Sequence, residues 1–341
     1  MEQRKIMSLG RSSLVISLPK DWLESNRLER GDLVSVDVQR DSSLVILPGI
    51  RKESEPKRAT LYIDPEDKED SISRRLIAYY LNGYSLIEIF SKKIFSVRQL
   101  KAIRRIAGIL YMSIMESDAK KVSIQTLIDE SKAEPTSAIQ RMHMISVSMC
   151  QDSFIALKNR DETLTKAVIS LDDDVDQFSF LILRLLRSAA LDPTLAKRLG
   201  LEPINCLDYQ TVVHRIEYVA DNAANISKCA IGLIEKEGNI SENLLVVLLK
   251  AGIEAIDLYN TAVYAFFSKD ISKSDEIIEQ QKNIEMMDQE IASLAFSTEK
   301  NPTTICAICS IRDSIKRITE CAANIAETTL DATVASENRS V

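Results

Sequence analysis

Residues 219–227, VADNAANIS, and residues 318–326, ITECAANIA, are two versions of one pattern set 99 positions apart. A second echo pairs VDQ at 175–177 with MDQ at 287–289, at an offset of 112. The offsets differ by 13 because the first copy carries a longer loop, around Pro193 to Pro203, than its counterpart around Pro302. A repeat of this length means a duplicated structural unit.

Working outward, β-signals vanish from Pro135 onward and helical periodicity takes over. Breaks fall near Asn159–Asp161, Asp192–Asp208, Glu237–Ile240, Ser268–Ser272 and Ser297–Pro302. They delimit six helices, hence tandem three-helix bundles over 135–237 and 238–333. The helix from about Asp161 to Leu191 would span about 45 Å at 1.5 Å per residue, which suits an elongated bundle.

The front of the chain reads differently. From Arg4 to Pro48, short β-runs alternate with turn signals: RKIMSL, Gly10-Arg11, SLVIS, a Pro19-led PKDWLESN, Arg30-Gly31-Asp32, LVSVDV, Asp41-Ser42 and SLVIL. Val34, Val36 and Val38 alternate with polar Ser35 and Asp37, the mark of a half-buried strand. A module of residues 1–50 buries little surface, so dimerisation is the expected remedy. The linker GIRKESEPKR follows, and residues 59–133 read as a small β-α-β-α-β segment. Its strands are ATLYID, YSLIEIF and KKVSIQTLI, and its helices run over Asp70–Asn82, closed by Gly83, and Val97–Met112.

Composition agrees with a multi-domain, predominantly α chain. Of 341 residues, 45% are hydrophobic and only 9 are Gly and 8 Pro, too little punctuation for an all-β sandwich. Residues 1–134 hold 23 basic against 20 acidic side chains, and residues 135–341 hold 20 against 30. That asymmetry points to different partners for the two ends. The most apolar region, Leu244 to Phe267, is interrupted by Lys250, Glu254 and Asp257, so no membrane insertion is expected. Six scattered cysteines without secretory features suggest reduced thiols and a cytoplasmic location. No phosphate-cradling loop, nucleophile triad or zinc-finger spacing is present, and a non-enzymatic role is expected.

The run GRSSLVISLPKDWLESNRLERGDLVSVDV joins a turn glycine, a Pro-Lys helix start and a Gly-Asp turn in one order. It resembles the AbrB/SpoVT family of swapped-hairpin DNA-binding domains. The resemblance implies a homodimer of interleaved hairpins that lays Arg4, Lys5, Arg11, Ser12, Ser13 and Lys20 on DNA, Arg11 foremost. Residues 1–50 hold 7 basic and 7 acidic side chains, so contact would rely on local placement rather than bulk charge. A module that only dimerises is the other reading.

The helical half resembles the PhoU family of phosphate-uptake regulators, and the whole arrangement resembles a class of archaeal regulators. Family members carry a Glu/Asp-x-x-x-Asp motif that in some holds metal. Glu217-Tyr-Val-Ala-Asp221, continued by Asn225, fits it, and residues four apart share a helix face. Asp172 and Asp176 would face that stripe from the preceding long helix. The resemblance thus implies a divalent or iron-type metal in the first bundle, with oxygen ligands suited to hard cations. A solvated acidic face, or one paired with Arg184 and Arg215, is the other reading. In the second copy Lys316 stands where Glu217 does and Glu320 where Asp221 does.

The expected function is that of a dimeric DNA-binding regulator of phosphate uptake whose helical body senses or docks. The alternative is an adaptor, not bound to DNA, that restrains a phosphate transporter ATPase or a sensor kinase. Arg98, Lys101, Arg104 and Arg105 also line one helix of the middle segment, either as a wet face or as an extension of the DNA footprint.

Overall fold

The computed structural model describes residues 3–10, 13–38, 43–48, 56–236 and 238–337. The chain divides into two compact units, Met1–Pro56 and Lys57–Val341.

The first unit contains two antiparallel hairpins and a short helix. Strand β1 (Met7–Leu9) pairs with β2 (Ser13–Val15), with Met7 opposite Val15 and Leu9 opposite Ser13. The chain leaves β1 through Gly10 at φ +72°, a left-handed conformation that side chains with a Cβ rarely adopt. Helix α1 (Lys20–Ser25) starts directly after Pro19, whose fixed φ suits a helix entry. Strand β3 (Val34–Val38) then pairs with β4 (Leu44–Pro48), placing Val36 opposite Ile46. None of the described side chains in this unit is buried.

The second unit opens with an α/β layer: β5 (Arg58–Ile63), α2 (Glu69–Leu81), β6 (Leu86–Ser91), α3 (Val97–Ile109), β7 (Met112–Ser117) and β8 (Lys121–Thr126). The sheet order is β5-β6-β8-β7, with β5 and β6 parallel and the other pairs antiparallel. Burial alternates along β6, so Ile87 and Ile89 join Ile72, Leu76 and Ile103 of the helices in one core. Helix α3 begins with a capping box between Ser96 and Gln99. The Gln99 amide also donates to the Asp64 and Asp67 carbonyls and so ties that helix start to the β5–α2 loop.

This layer has one strand more than the sequence pattern implied. The run MSIMES is β7, not the end of a helix reaching Met112: Tyr111 at φ +51° reverses the chain after α3. The strand lies at the sheet edge, bulged between Ile114 and Glu116 and mostly exposed, so it lacks the alternation that marks a covered strand.

Six long helices follow: α4 (Pro135–Asn159), α5 (Glu162–Leu191), α7 (Pro203–Glu235), α8 (Glu242–Ser268), α9 (Ile271–Thr298) and α10 (Pro302–Glu337). A short α6 (Pro193–Arg198), capped by the Asp192 carboxylate, stands where the sequence showed only a break. Helices α4, α5 and α7 form one bundle and α8, α9 and α10 the other. Helices α7 and α10 pack along each other, and one apolar core runs through both bundles. Asn225 of α7 reinforces that seam by donating to the Ser310 and Ser314 hydroxyls of α10, at 3.1 and 2.9 Å. Helices α4 and α8 meet where a Cβ on Gly252 would fall 2.4 Å from the Phe154 ring, so only glycine fits there.

Arg184 of α5 joins the α/β layer to the first bundle. It is 2% exposed, pairs with Glu130 at 2.6 Å, and donates to the carbonyls of Tyr80 and Tyr84 at 2.6 and 2.8 Å. Its guanidinium also lies over the Tyr80 ring. These acceptors leave the buried guanidinium neither unpaired nor short of partners, which is what makes a buried arginine tolerable.

Candidate functional site

In the amino-terminal unit Lys5, Ser13 and Lys20 are exposed, Ser13 at the start of β2 and Lys20 at the start of α1. Lys20 lies 3.4 Å from Glu24 one turn on, a solvated pair that leaves the ammonium accessible. Arg4 is exposed and donates to the Ser17 hydroxyl at 3.3 Å. Arg11 and Ser12 lie outside the described residues. The same unit also leaves large apolar side chains in the open: Ile6, Leu14, Leu33 and Val38 are 69–80% exposed.

In the first bundle, α5 and α7 bring Asp172, Asp176, Glu217 and Asp221 near one another. Asp176 is partly buried, and burial together with the charges of Glu217, Asp172 and Asp221 pushes its carboxyl up to about 7. Partial desolvation, then Asp172 and Glu217, pushes Asp221 up to about 6, and Asp172 is raised mainly by burial. Glu217 accepts from the Ser179 hydroxyl at 3.3 Å and lies 3.5 Å from the His214 ring.

Two cations temper this cluster. Arg105 of α3 reaches across to Asp173 at 2.5 Å, and Lys228, seven residues beyond Asp221 on α7, lies near Asp172 and Asp221. Among the described residues neither Arg184 nor Arg215 forms an ion pair with these carboxylates: Arg184 turns to the α/β layer instead. Arg105 could not have been linked to Asp173 by local spacing, since 68 residues separate them. Lys228 could have been, because seven residues make two helical turns.

Among the described residues, no three or more His, Cys, Asp and Glu side chains gather as ligands of a metal ion. Asn225, the last member of the stripe, gives its amide to the other bundle. The metal expectation therefore rests on the family resemblance alone. In the second bundle the equivalent face is neutralised internally: Asp288 lies 2.7 Å from Arg312, and Lys316 lines the same groove as Glu285 and Asp288.

No helix among the described residues is long and apolar enough to cross a membrane. No curated protein matches the chain. The antidote-toxin recognition domain of MazE, a bacterial antitoxin, matches residues 8–57. PhoU from Pseudomonas aeruginosa has a similar fold at 20% identity, with a TM-score of 0.52, over 59% of this chain and 96% of its own. The phosphate transport system regulatory protein PhoU from Streptococcus pneumoniae is 17% identical, with a TM-score of 0.49, over 57% and 91%. The PhoU domain model matches residues 139–230 and 248–329. That match takes in both bundles and just over half of the residues, and the chain therefore belongs to the PhoU family.

Proposed function

We propose that the protein is a cytoplasmic, dimeric, DNA-binding regulator of phosphate uptake, in which the helical body senses or docks and the amino-terminal unit reads an operator. The observation that carries this reading is the character of the amino-terminal unit. It matches an antitoxin recognition domain, leaves its apolar strand residues in water, and holds Lys5 and Lys20 in the open. Exposed alternating strands of this kind ask for a second copy, and two copies double the cationic groups facing a duplex. A two-fold dimer fits an operator with two-fold symmetry.

The body supports the phosphate half of the reading through its membership of the PhoU family. Coupling requires that whatever binds the body prefer one arrangement of the heads, because an effector with equal affinity for both arrangements shifts nothing. A divalent or iron-type metal at the first-bundle carboxylates is a separate proposal, tested by metal analysis of freshly purified protein and of the Glu217→Gln/Asp221→Asn variant.

Replacing Arg11 and Lys20 by alanine tests the main reading. Affinity for operator-bearing duplexes is expected to fall while the dimer persists in sedimentation. Intact control of phosphate-transport genes in that variant would favour the adaptor, which acts on a transporter ATPase or a sensor kinase through protein contacts.

A further inference from the structure

The basic helix of the α/β layer does not present a uniform wet face. Arg98 and Lys101 of α3, with Arg74 of α2, border a groove of about 670 Å³ bounded by α2, α3 and α5. All three cations are exposed, and among the described residues no hydrogen bond or ion pair engages their side chains. Their neighbours are engaged: Arg75 is held by Asp67 at 2.5 Å and by the Tyr62 carbonyl, and Arg105 by Asp173. These three cations are therefore free to meet an anion in the groove, beside the carboxylates of Glu69, Asp70 and Asp176 that also line it.

Part of the groove is apolar, made by Ile77, Ile106, Ile109 and Phe180, with the half-buried Asp176 carboxyl beside it, which burial and neighbouring carboxylates push up to about 7. A duplex backbone has no use for such an apolar part, whereas a flat ring does. Glu69 and Asp70, in the first turn of α2, add carboxylates at the groove edge. They repel a run of phosphodiesters but accept hydrogen bonds from the hydroxyls of a sugar. The groove volume lies in the range of small-ligand sites.

We propose that this groove binds a ribonucleotide, with phosphates on Arg74, Arg98 and Lys101, the base over the apolar part, and the ribose hydroxyls toward Glu69 and Asp70. Arg105 connects the site to the first bundle: it borders the same groove while bound to Asp173. A phosphate reaching Arg105 would compete with Asp173 for it and alter the charge balance of the acidic cluster. The proposal is independent of DNA binding by the amino-terminal unit.

The test is titration calorimetry of the full chain with ADP, adenosine and inorganic phosphate as separate probes. ADP is expected to bind one to one, with adenosine and inorganic phosphate each weaker by about tenfold or more, since each keeps only part of the contacts. The Arg98→Ala/Lys101→Ala variant is expected to weaken ADP by about tenfold or more, the loss of two charge-assisted contacts. Arg104→Ala, on the same helix but outside the groove, is expected to leave it unchanged. Undetectable ADP binding, inorganic phosphate binding as tight as ADP, or an equal loss in Arg104→Ala overturns the proposal. So does a result in which the double variant weakens duplex DNA alone, which would make the rim an extension of the DNA footprint.

Discussion

In the second unit Leu61, Ile139 and Ile318 are each at most 4% exposed, whereas in the amino-terminal unit Leu14, Leu33 and Val38 are 70–80% exposed. The same residue types therefore meet opposite surroundings in one chain. The body completes its cores with its own helices and strands. Among its described residues the amino-terminal unit has paired strands but no buried side chain, and hairpins with strands of three to five residues do not hold themselves in water. The difference teaches that the chain covers the apolar residues of one part with its own helices and strands and leaves those of the other uncovered among the described residues, which is the basis of the dimer proposed above.

The largest expected effect breaks the comparison at its exposed side. Leu14→Asp combined with Val36→Asp places charges on both hairpins, and sedimentation should show a shift from dimer to a 38.2 kDa monomer with the body still helical. An unchanged mass would mean that those strands are not an interface. Next comes the buried side. Arg184→Met strands Glu130 and the Tyr80 and Tyr84 carbonyls, and breaking a buried pair from one side costs about 3–5 kcal/mol, read as a lower denaturant midpoint.

Gly252→Ala sharpens the comparison further, because the added methyl meets the Phe154 ring. Overpacking of this kind costs about 1–3 kcal/mol, and a melting temperature equal to wild type would show that the α4–α8 contact is loose.

The smallest effect concerns charge in the body. The Asp176 carboxyl titrates near 7 when folded, above the ordinary value of 3.8, so folding disfavours its charged form. Its contribution is nil below 3.8, grows more unfavourable as pH rises from 3.8 to about 7, where only the unfolded chain has lost the proton, and is constant above that, so stability falls over this window. His143 acts oppositely: burial lowers it to about 4, so stability falls as pH drops below 6.5. Asp176→Asn isolates the first effect. It should stabilise by about 1 kcal/mol at pH 7.5, after allowance for solvent screening, and by almost nothing at pH 3.

Much of this architecture was legible in the residues. The echo of VADNAANIS in ITECAANIA foretold the paired bundles because self-similarity at a fixed offset marks a duplicated unit, and the Val34-Val36-Val38 alternation foretold β3. What escaped was set by distant contacts. Strand β7 is exposed at a sheet edge and carries no period of its own. Arg184, which the alternative reading pairs with the acidic stripe, is held instead by carbonyls of the α/β layer about 100 residues away in the chain, beyond the reach of any local pattern. The groove joins α2, α3 and α5, and its free cations separate from the engaged Arg75 and Arg105 only when Asp67 and Asp173 are in place.

The central claim is that the unfinished amino-terminal unit becomes a DNA-reading dimer. The most direct measurement is selection of bound fragments from genomic DNA at low and high salt, with wild type and Arg11→Ala in parallel. Base readout persists as salt rises, whereas phosphate attraction alone fades for every sequence. Wild type is expected to enrich a two-fold symmetric sequence at high salt as well as low, and Arg11→Ala to lose that enrichment. Enrichment that fades equally across all fragments, or that Arg11→Ala retains, would contradict the claim.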